Sequence, residues 1–183
     1  MSREPLHTAE IIKGCKNDDR KAQEQLYKYF YDSMIRLSLR YTKNEADAKV
    51  VLNTGFLRVF KNIHQYNPSK AALYTWVRSI ILNCCLDYVK SKNTQLQPDE
   101  LHHAEDVKAE SAIETKIKIE QILYLIRKLP LATQAVFNLY VMDGYGHKDI
   151  AKKLQISEGT SKWHLSEARK SLKLLILQKQ NDN

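Results

Sequence analysis

Side chains that donate hydrogen bonds recur along one segment of the chain, at 157–170. The candidates for contacts with a ligand are Ser157, Thr160, Ser161, Lys162, His164 and Arg169. Hydroxyl, imidazole, ammonium and guanidinium groups bind phosphate oxygens and the polar edges of bases. Neither a carboxylate cluster nor an activated nucleophile accompanies the basic segments of the sequence. We therefore expect this segment to bind nucleic acid rather than to catalyse a reaction.

Two short helices are needed to position these side chains. The first is predicted at 148–154, with Ile150, Ala151 and Leu154 buried. Ser157 then caps a second helix that begins at Glu158. The 3.6-residue spacing of the second helix predicts that its buried side carries Ser161, Leu165, Ala168, Leu172 and Leu175. Its opposite side is predicted to carry Lys162, His164, Arg169 and Lys170. This pattern is typical of a helix-turn-helix, whose second helix enters the DNA major groove.

The charge of the chain is divided into segments of opposite sign. The 183 residues have a net charge of +8, and 43% of them are hydrophobic, which is enough for one or two small packed domains. Residues 1–90 have a net charge of +6, residues 91–112 of −3 and residues 113–183 of +5. Two basic lobes fit a polyanionic partner. A mildly basic surface also serves solubility alone, so charge by itself leaves both interpretations open.

The N-terminal lobe is predicted to be helical throughout, because no stretch alternates with the period of two that a half-buried strand requires. A short helix at 8–13 is expected to end at Gly14, and Asp18 or Asp19 to begin a second. Thr42 and Glu45 have the spacing of a capping box, which predicts the start of a third helix. A polar loop at 62–70 and a fourth helix at about 71–92 follow. The predicted fold class is therefore all-α, with two small helical domains joined by a flexible linker.

The polar loop and the helix after it contain a second set of candidate residues. Tyr66 has no obvious core to join, so stacking on an unpaired base and simple loop packing are equally compatible with its position. Trp76 is expected to be mostly core, and Asn83 either caps a buried carbonyl or reads a base edge. The remaining candidates, for polar or phosphate contacts, are His64, Asn67, Arg78, Lys90 and Lys92.

Both lobes resemble the bacterial RNA polymerase sigma factors of the extracytoplasmic-function (ECF) type. In the C-terminal lobe the resemblance rests on Leu129-Pro130, Gly144-Tyr145, Gly159-Thr160 and Ala168-Arg169, placed around the helix-turn-helix. In the N-terminal lobe it rests on the segments 56–60 and 73–78. The resemblance implies a region 2-like domain at 1–92, an acidic linker at 93–112 and a region 4-like helix-turn-helix domain at 113–183.

The resemblance also implies roles for the candidate residues. The set on the helix-turn-helix would read the upstream promoter element. Those of the loop and fourth helix would recognise the start-proximal element and melt the promoter. Polymerase binding would involve the third helix through Val50, Asn53, Thr54 and Arg58. Where the family has an acidic pattern followed by Gln, this chain has Ala48-Lys49-Val50 and Asn53-Thr54, so we expect weaker polar docking or a hydrophobic contact through Val50.

The implied partners are core RNA polymerase, promoter DNA and an anti-sigma protein. We expect no cofactor, no metal site and no disulfide framework, because Cys84 and Cys85 are adjacent and Cys15 is isolated. No apolar run reaches the roughly 18 residues of a membrane span, which predicts a cytoplasmic protein. One alternative is a DNA-binding regulator, or a degenerate sigma factor, that acts without polymerase. A recombinase-type enzyme is a weaker alternative.

Overall fold

The computed structural model describes the backbone of residues 8–95 and 114–181 and the side chains of residues 8–92 and 121–177. Within these ranges all regular structure is helical, as the sequence predicts. The predicted linker at 93–112 lies outside the described residues, apart from the last turn of one helix. The helices are α1 (Thr8–Lys16), α2 (Arg20–Leu39), α3 (Glu45–Asn62), α4 (Leu73–Gln95), α5 (Glu114–Lys128), α6 (Leu131–Phe137), α7 (His147–Leu154) and α8 (Glu158–Asn181).

The chain forms two compact units. The first consists of Met1–Leu39 and Asn44–Cys85, and the second of Arg40–Lys43 and Leu86–Asn183. Each unit has its own apolar core, which is the property that allows a domain to fold by itself.

Helix α1 passes through Gly14, so the prediction that this glycine ends the helix is wrong. Its role is to allow close packing, because a Cβ at this position would lie 2.6 Å from the Cβ of Ala22 on α2. The turn between the helices ends at Asp19, whose carboxylate accepts a hydrogen bond of 2.8 Å from the backbone N–H of Lys21. The predicted cap at the start of α2 is therefore present.

Helices α2, α3 and α4 form the core of the first unit. The buried face of α2 includes Leu26, Phe30 and Met34. Helix α3 begins after Asn44, whose side chain accepts from the Asp47 N–H at 2.8 Å, and not at the predicted Thr42–Glu45 pair. Asparagine caps a helix as well as threonine does, and with Asn44 as the cap the helix starts two residues later than predicted. The inner face of α3 consists of Ala48, Val51, Leu52, Gly55, Phe56 and Val59.

The second unit is a small bundle in which α6 and α7 pack against α8, with α5 beside them. Pro130 precedes α6, and a wide helical turn at Asn138–Met142 extends it. Gly144 follows with a φ of +73°, a conformation that glycine adopts without steric cost. The core contains Ile126, Leu129, Val136, Leu139, Ile150, Leu154, Leu165 and Ala168. The helices of the second unit thus enclose the buried side of the helix-turn-helix.

Among the described residues, no helix is long and apolar enough to cross a membrane. Cys15, Cys84 and Cys85 are buried, and none of them forms a disulfide. Burial, together with the nearby Asp19 carboxylate, raises the pKa of the Cys15 thiol to about 11. Because the thiolate is the reactive form, this cysteine is chemically inert at neutral pH.

Candidate nucleic-acid interface

The turn between α7 and α8 is fixed by one residue in the left-handed conformation. Gln155 has a φ of 58° and a ψ of 43°, as the position of the turn requires. Its N–H and that of Ile156 both donate to the carbonyl of Ala151, the latter at 3.0 Å. A residue with a Cβ adopts this conformation at a steric cost, which the two hydrogen bonds and the buried helices offset.

Ser157 caps α8 as predicted. Its Oγ accepts a hydrogen bond of 2.9 Å from the Thr160 N–H and lies 2.8 Å from the Thr160 hydroxyl. Ser157 is exposed and Thr160 half-exposed at the N-terminal end of this long helix. Backbone N–H groups at such an end favour phosphate. Both residues are accessible at the helix start, which their hydroxyls also fix.

Ser161 lies on the inner side of α8 and is completely buried. Its Oγ is 2.9 Å from Nδ1 of His147, at the start of α7. A side chain with no accessible surface cannot touch DNA, so the prediction that Ser161 contacts the upstream element is wrong. Its hydroxyl instead joins the two helices of the motif.

His164 also departs from its predicted placement on the open face. It is half-buried, and its Nδ1 lies 3.0 Å from the hydroxyl of Thr133 on α6. Burial lowers the pKa of His164 below that of a solvated imidazole. At neutral pH the side chain is therefore a neutral packing group rather than a cationic contact to DNA.

The outer side of α8 follows from the position of Ser161, since each residue turns the helix by roughly 100°. The side opposite Ser161 carries Gly159, Trp163, Ser166 and Lys170, all of them exposed. Lys162 and Arg169 are exposed, as predicted, but they lie on the flank of this surface rather than opposite Ser161. The Arg169 guanidinium lies 6.0 Å from the centroid of the Tyr140 ring, which stacks on His147 at 4.8 Å.

Trp163 is an exposed residue of α8 that the sequence interpretation did not include. It is 59% exposed, and its ring meets the imidazole of His164 edge-on at 4.9 Å. Counting outward from the buried Ser161 would have found it, because two residues correspond to a rotation of roughly 200°. The outer side of α8 thus combines cationic groups with one large aromatic ring.

In the first unit, Tyr66 belongs to the core. Only 7% of it is exposed, its hydroxyl donates to the Ala71 carbonyl at 3.2 Å, and its ring lies 5.3 Å from that of Trp76. Of the two interpretations left open by the sequence, loop packing is therefore the one observed, and base stacking by Tyr66 is not supported. Trp76 is half-buried, in agreement with a mainly structural role.

The other candidates of this region are spread over several surfaces. His64 and Asn67 are exposed in the loop, where the Asn67 side chain accepts from the Ser69 N–H at 2.9 Å. Asn83 is exposed on α4, so it does not cap a buried carbonyl. Arg78 is half-buried and lies five residues before Asn83, which places the two about 140° apart around the helix. They therefore do not share one surface.

The last turns of α4 carry two more predicted phosphate contacts. Lys90 forms an ion pair of 3.1 Å with Asp87 and is half-buried. Lys92 is exposed, with its ammonium 6.0 Å from the centroid of the Tyr88 ring. The two lysines lie on different sides of the helix, since two residues correspond to a rotation of roughly 200°.

The outer face of α3 brings together the four residues predicted to bind polymerase. Val50, Asn53, Thr54 and Arg58 are all exposed and recur at helical spacing. Asn53 is held from one side by the Tyr27 hydroxyl, which donates to it at 3.0 Å. Two apolar side chains are prominent on this face, Val50 at 64% and Leu57 at 70% exposure. Leu57 was not among the predicted residues, although its place one heptad after Val50 puts it on the same side.

Two family models match the chain. The model of sigma-70 region 2 matches residues 26–95, and that of sigma-70 region 4 matches residues 119–172. The first match covers α3, the loop and α4, and the second covers the helix-turn-helix. No group of three or more potential metal-ligating side chains occurs among the described residues.

Curated relatives align with nearly the whole chain. The ECF RNA polymerase sigma factor SigM of Mycobacterium tuberculosis is 27% identical over 170 residues, which cover 92% of this chain and 84% of the relative. SigM of Bacillus subtilis is 26% identical over 161 residues, covering 87% of this chain and 98% of that protein. The sigma factor RpoE, solved in complex with the anti-sigma factor NepR from Bartonella quintana, is 15% identical with a TM-score of 0.55, covering 84% and 95% of the two chains.

Proposed function

The chain belongs to the ECF-type RNA polymerase sigma factors, which direct transcription initiation, and from this premise we propose how its residues divide that task. The proposed domains are a region 2-like domain at 1–92 and a region 4-like domain at 113–183, joined by the acidic linker at 93–112.

Recognition of the upstream promoter element is assigned to α8. The observation that carries this proposal is the capped recognition helix, whose outer side is exposed while its inner side is held by α6 and α7. Lys162 is near the N-terminal end of the helix, where side chains of a helix-turn-helix reach base edges. Arg169 lies almost two turns further along and is suited to a phosphate contact. Ser157 and Thr160 lie at the helix start, where backbone N–H groups attract phosphate.

Binding of core RNA polymerase is assigned to the outer face of α3. Val50 and Leu57 give this face an apolar centre, and Asn53, Thr54 and Arg58 give it a polar border. Partly apolar patches with a polar rim are typical of protein interfaces. We propose that hydrophobic contact replaces the missing acidic and Gln residues of the family pattern, which is one of the two outcomes expected from the sequence.

Recognition of the start-proximal element and promoter melting are assigned to the polar groups of the loop and of α4. His64, Asn67 and Asn83 offer donors and acceptors for an unpaired base. Arg78, Lys90 and Lys92 contribute positive charge for the separated strand. Tyr66 and Trp76 pack against each other and support the loop from within. Stacking on a flipped base is therefore left out of the proposal.

Three further properties follow from the proposed function. The chain performs no catalysis of its own, because the polymerase supplies the chemistry and the sigma factor supplies recognition. It acts in the cytoplasm, where polymerase and promoter DNA are found. An anti-sigma protein controls it, a proposal supported by the relative of like fold that was solved bound to the anti-sigma factor NepR.

Promoter-directed run-off transcription with purified core polymerase tests the assignment. We expect the chain to convert non-specific core enzyme into one that starts at a defined site on a promoter selected from random duplex DNA. A regulator that acts without polymerase would instead retain the same duplex when core enzyme is absent. A chain that binds core enzyme but yields no defined transcript would be a degenerate sigma factor.

Replacement of Leu57 by Asp tests the docking face. A charge at the apolar centre of the interface should weaken binding to core polymerase at least tenfold, because the carboxylate must be desolvated. Gln25→Asp is the matched control. It adds the same charge to the exposed surface of α2. Gln25 precedes Tyr27, which contacts α3, by two residues, and this corresponds to a rotation of roughly 200°, so Gln25 faces away from α3. Equal affinities of the two variants in a core-binding assay would remove α3 from the interface.

A further inference from the structure

The outer side of α8 presents one apolar group among charged and polar neighbours. Trp163 is 59% exposed, and it lies in line with Gly159, Ser166 and Lys170. Gly159 leaves open space one turn before it, since a Cβ there would meet no atom nearer than the Ser157 Oγ at 3.6 Å. The indole ring is therefore the most prominent group on the first turns of the helix.

The position of Trp163 follows from the hydrogen bonds that fix α8. The Ser157 cap sets the start of the helix, and the contact of Ser161 with His147 sets its rotation about its axis. Burial of Leu165 and Ala168 holds the same rotation over the next two turns. Trp163 consequently points away from α6 and α7, in the direction that a recognition helix presents to the major groove.

The chemistry of an exposed indole selects one feature of the groove. Base edges there carry polar atoms, except that thymine also carries a C5 methyl group. Lys162 and Arg169 on the flank are suited to polar acceptors, whereas an aromatic face gains most from an apolar contact. The neighbouring imidazole of His164, which meets the ring edge-on at 4.9 Å, limits the orientations of the ring.

We propose that Trp163 is a specificity-determining residue that packs on a thymine methyl group of the upstream promoter element. The inference rests on the proposed function, because it requires α8 to enter the major groove of the upstream element. It adds that the element contains a thymine read by shape and apolar contact, next to bases read by hydrogen bonds. A Trp163→Ala variant should then lose discrimination at that position while keeping its preference at the others.

The test begins with the wild-type holoenzyme, reconstituted with core polymerase and used to select duplexes from a random pool. Each thymine of the selected upstream element is then replaced by deoxyuridine, which removes only the methyl group. We expect one replacement to weaken wild-type binding about fourfold, the value of one buried methyl group. The Trp163→Ala holoenzyme should bind the thymine and deoxyuridine duplexes equally and bind the former about fivefold to tenfold less tightly than wild type.

Two further variants make the result specific. Trp163→Phe keeps an apolar ring and should retain most of the sensitivity to deoxyuridine. Lys170→Ala removes a charge from the same line of residues and should weaken binding to all duplexes alike, with the thymine preference unchanged.

The possible failures are distinguishable. If the wild-type holoenzyme enriches no duplex, the proposed function fails and the inference with it. If it enriches an element but no deoxyuridine replacement changes its affinity, only the role of Trp163 is overturned. The role of Trp163 is also overturned if Trp163→Ala weakens binding to all sequences equally, because the ring would then stack on the sugar-phosphate backbone. It is overturned as well if the variant changes no DNA affinity, in which case the ring would contact a protein partner.

Discussion

The helix-turn-helix and the polar loop at 62–70 both contain polar and aromatic side chains, but the partners that fix those side chains lie at different distances along the chain. In the helix-turn-helix, Ser157 caps the N–H of Thr160, and Gln155 bonds back to Ala151. In the loop, Tyr66 is fixed by the ring of Trp76, on a separate helix. Spacing along the sequence therefore identifies the helix cap in the first region, whereas the role of Tyr66 in the second requires knowledge of which elements pack together.

The largest effect that separates the two regions is expected from Tyr66→Ala. Removing a buried aromatic ring and its hydrogen bond should lower the free energy of unfolding by about 3 kcal/mol. His64→Ala, in the same loop but exposed, should change it by no more than about 0.5 kcal/mol. Denaturant titration of both variants measures the difference. If the two variants are equally stable, Tyr66 is not a core residue and base stacking becomes its better explanation.

Ser161→Ala tests the distinction between the inner and outer sides of α8. The variant leaves Nδ1 of His147 without its partner and should be destabilised by about 1 kcal/mol. Ser166→Ala removes the same hydroxyl from the exposed side, and unfolding curves should place it within about 0.5 kcal/mol of the parent. A reversal of this order would mean that the rotation of α8 about its axis differs from the one described.

Gln155→Gly is expected to stabilise the protein, although most substitutions of a turn residue do the opposite. Relief of the left-handed strain favours the folded state by about 1–2 kcal/mol, and the greater freedom of glycine in the unfolded chain offsets part of it. The net gain should be about 0.5–1 kcal/mol, measured as a higher denaturation midpoint. Gln155→Ala keeps the strain and serves as the control. A glycine variant less stable than the alanine variant would show that the strain at this turn is negligible.

The smallest effect concerns pH. Burial lowers the pKa of His164 below its usual value of 6.5, so the unfolded chain takes up a proton before the folded one as the pH falls. Stability contributed by this group is present above pH 6.5 and is lost as the pH falls through the lowered pKa. The loss of stability between pH 7.5 and 5.5 should therefore be smaller in His164→Gln. Equal losses in the variant and the parent would place His164 in solvent.

The sequence predicted most of the fold because its signals are local. Helical spacing identified the buried faces of α7 and α8, and a polar cap located the start of α8. Two errors come from packing between helices, which spacing along the sequence does not show. Gly14 continues a helix because Ala22 on α2 requires close approach, and His164 leaves the open face because its imidazole lies against Thr133 on α6.

The candidate site was predicted less completely than the fold, for a related reason. A basic or polar residue type indicates that contact with DNA is chemically possible, but the rotation of the helix decides which side chains are presented. Lys162 and Arg169 have a suitable side chain and are exposed. His164 has a suitable side chain but is half-buried, because its imidazole lies against the hydroxyl of Thr133. Trp163 is exposed but was not among the candidates, which were chosen for hydroxyl, imidazole and cationic groups.

The assignment of the exposed side of α8 to the upstream promoter element is tested most directly by run-off transcription. The promoter depends on the upstream element, and three forms of the holoenzyme are compared. Replacing both Lys162 and Arg169 by Ala removes two outward contacts, and transcription should fall at least tenfold, given roughly 1–3 kcal/mol for a good base contact. Ser161→Ala, assayed at a temperature at which it is fully folded, should transcribe like the wild type. The assignment of α8 would be contradicted if the variant lacking Lys162 and Arg169 transcribed normally while Ser161→Ala lost promoter-dependent transcription.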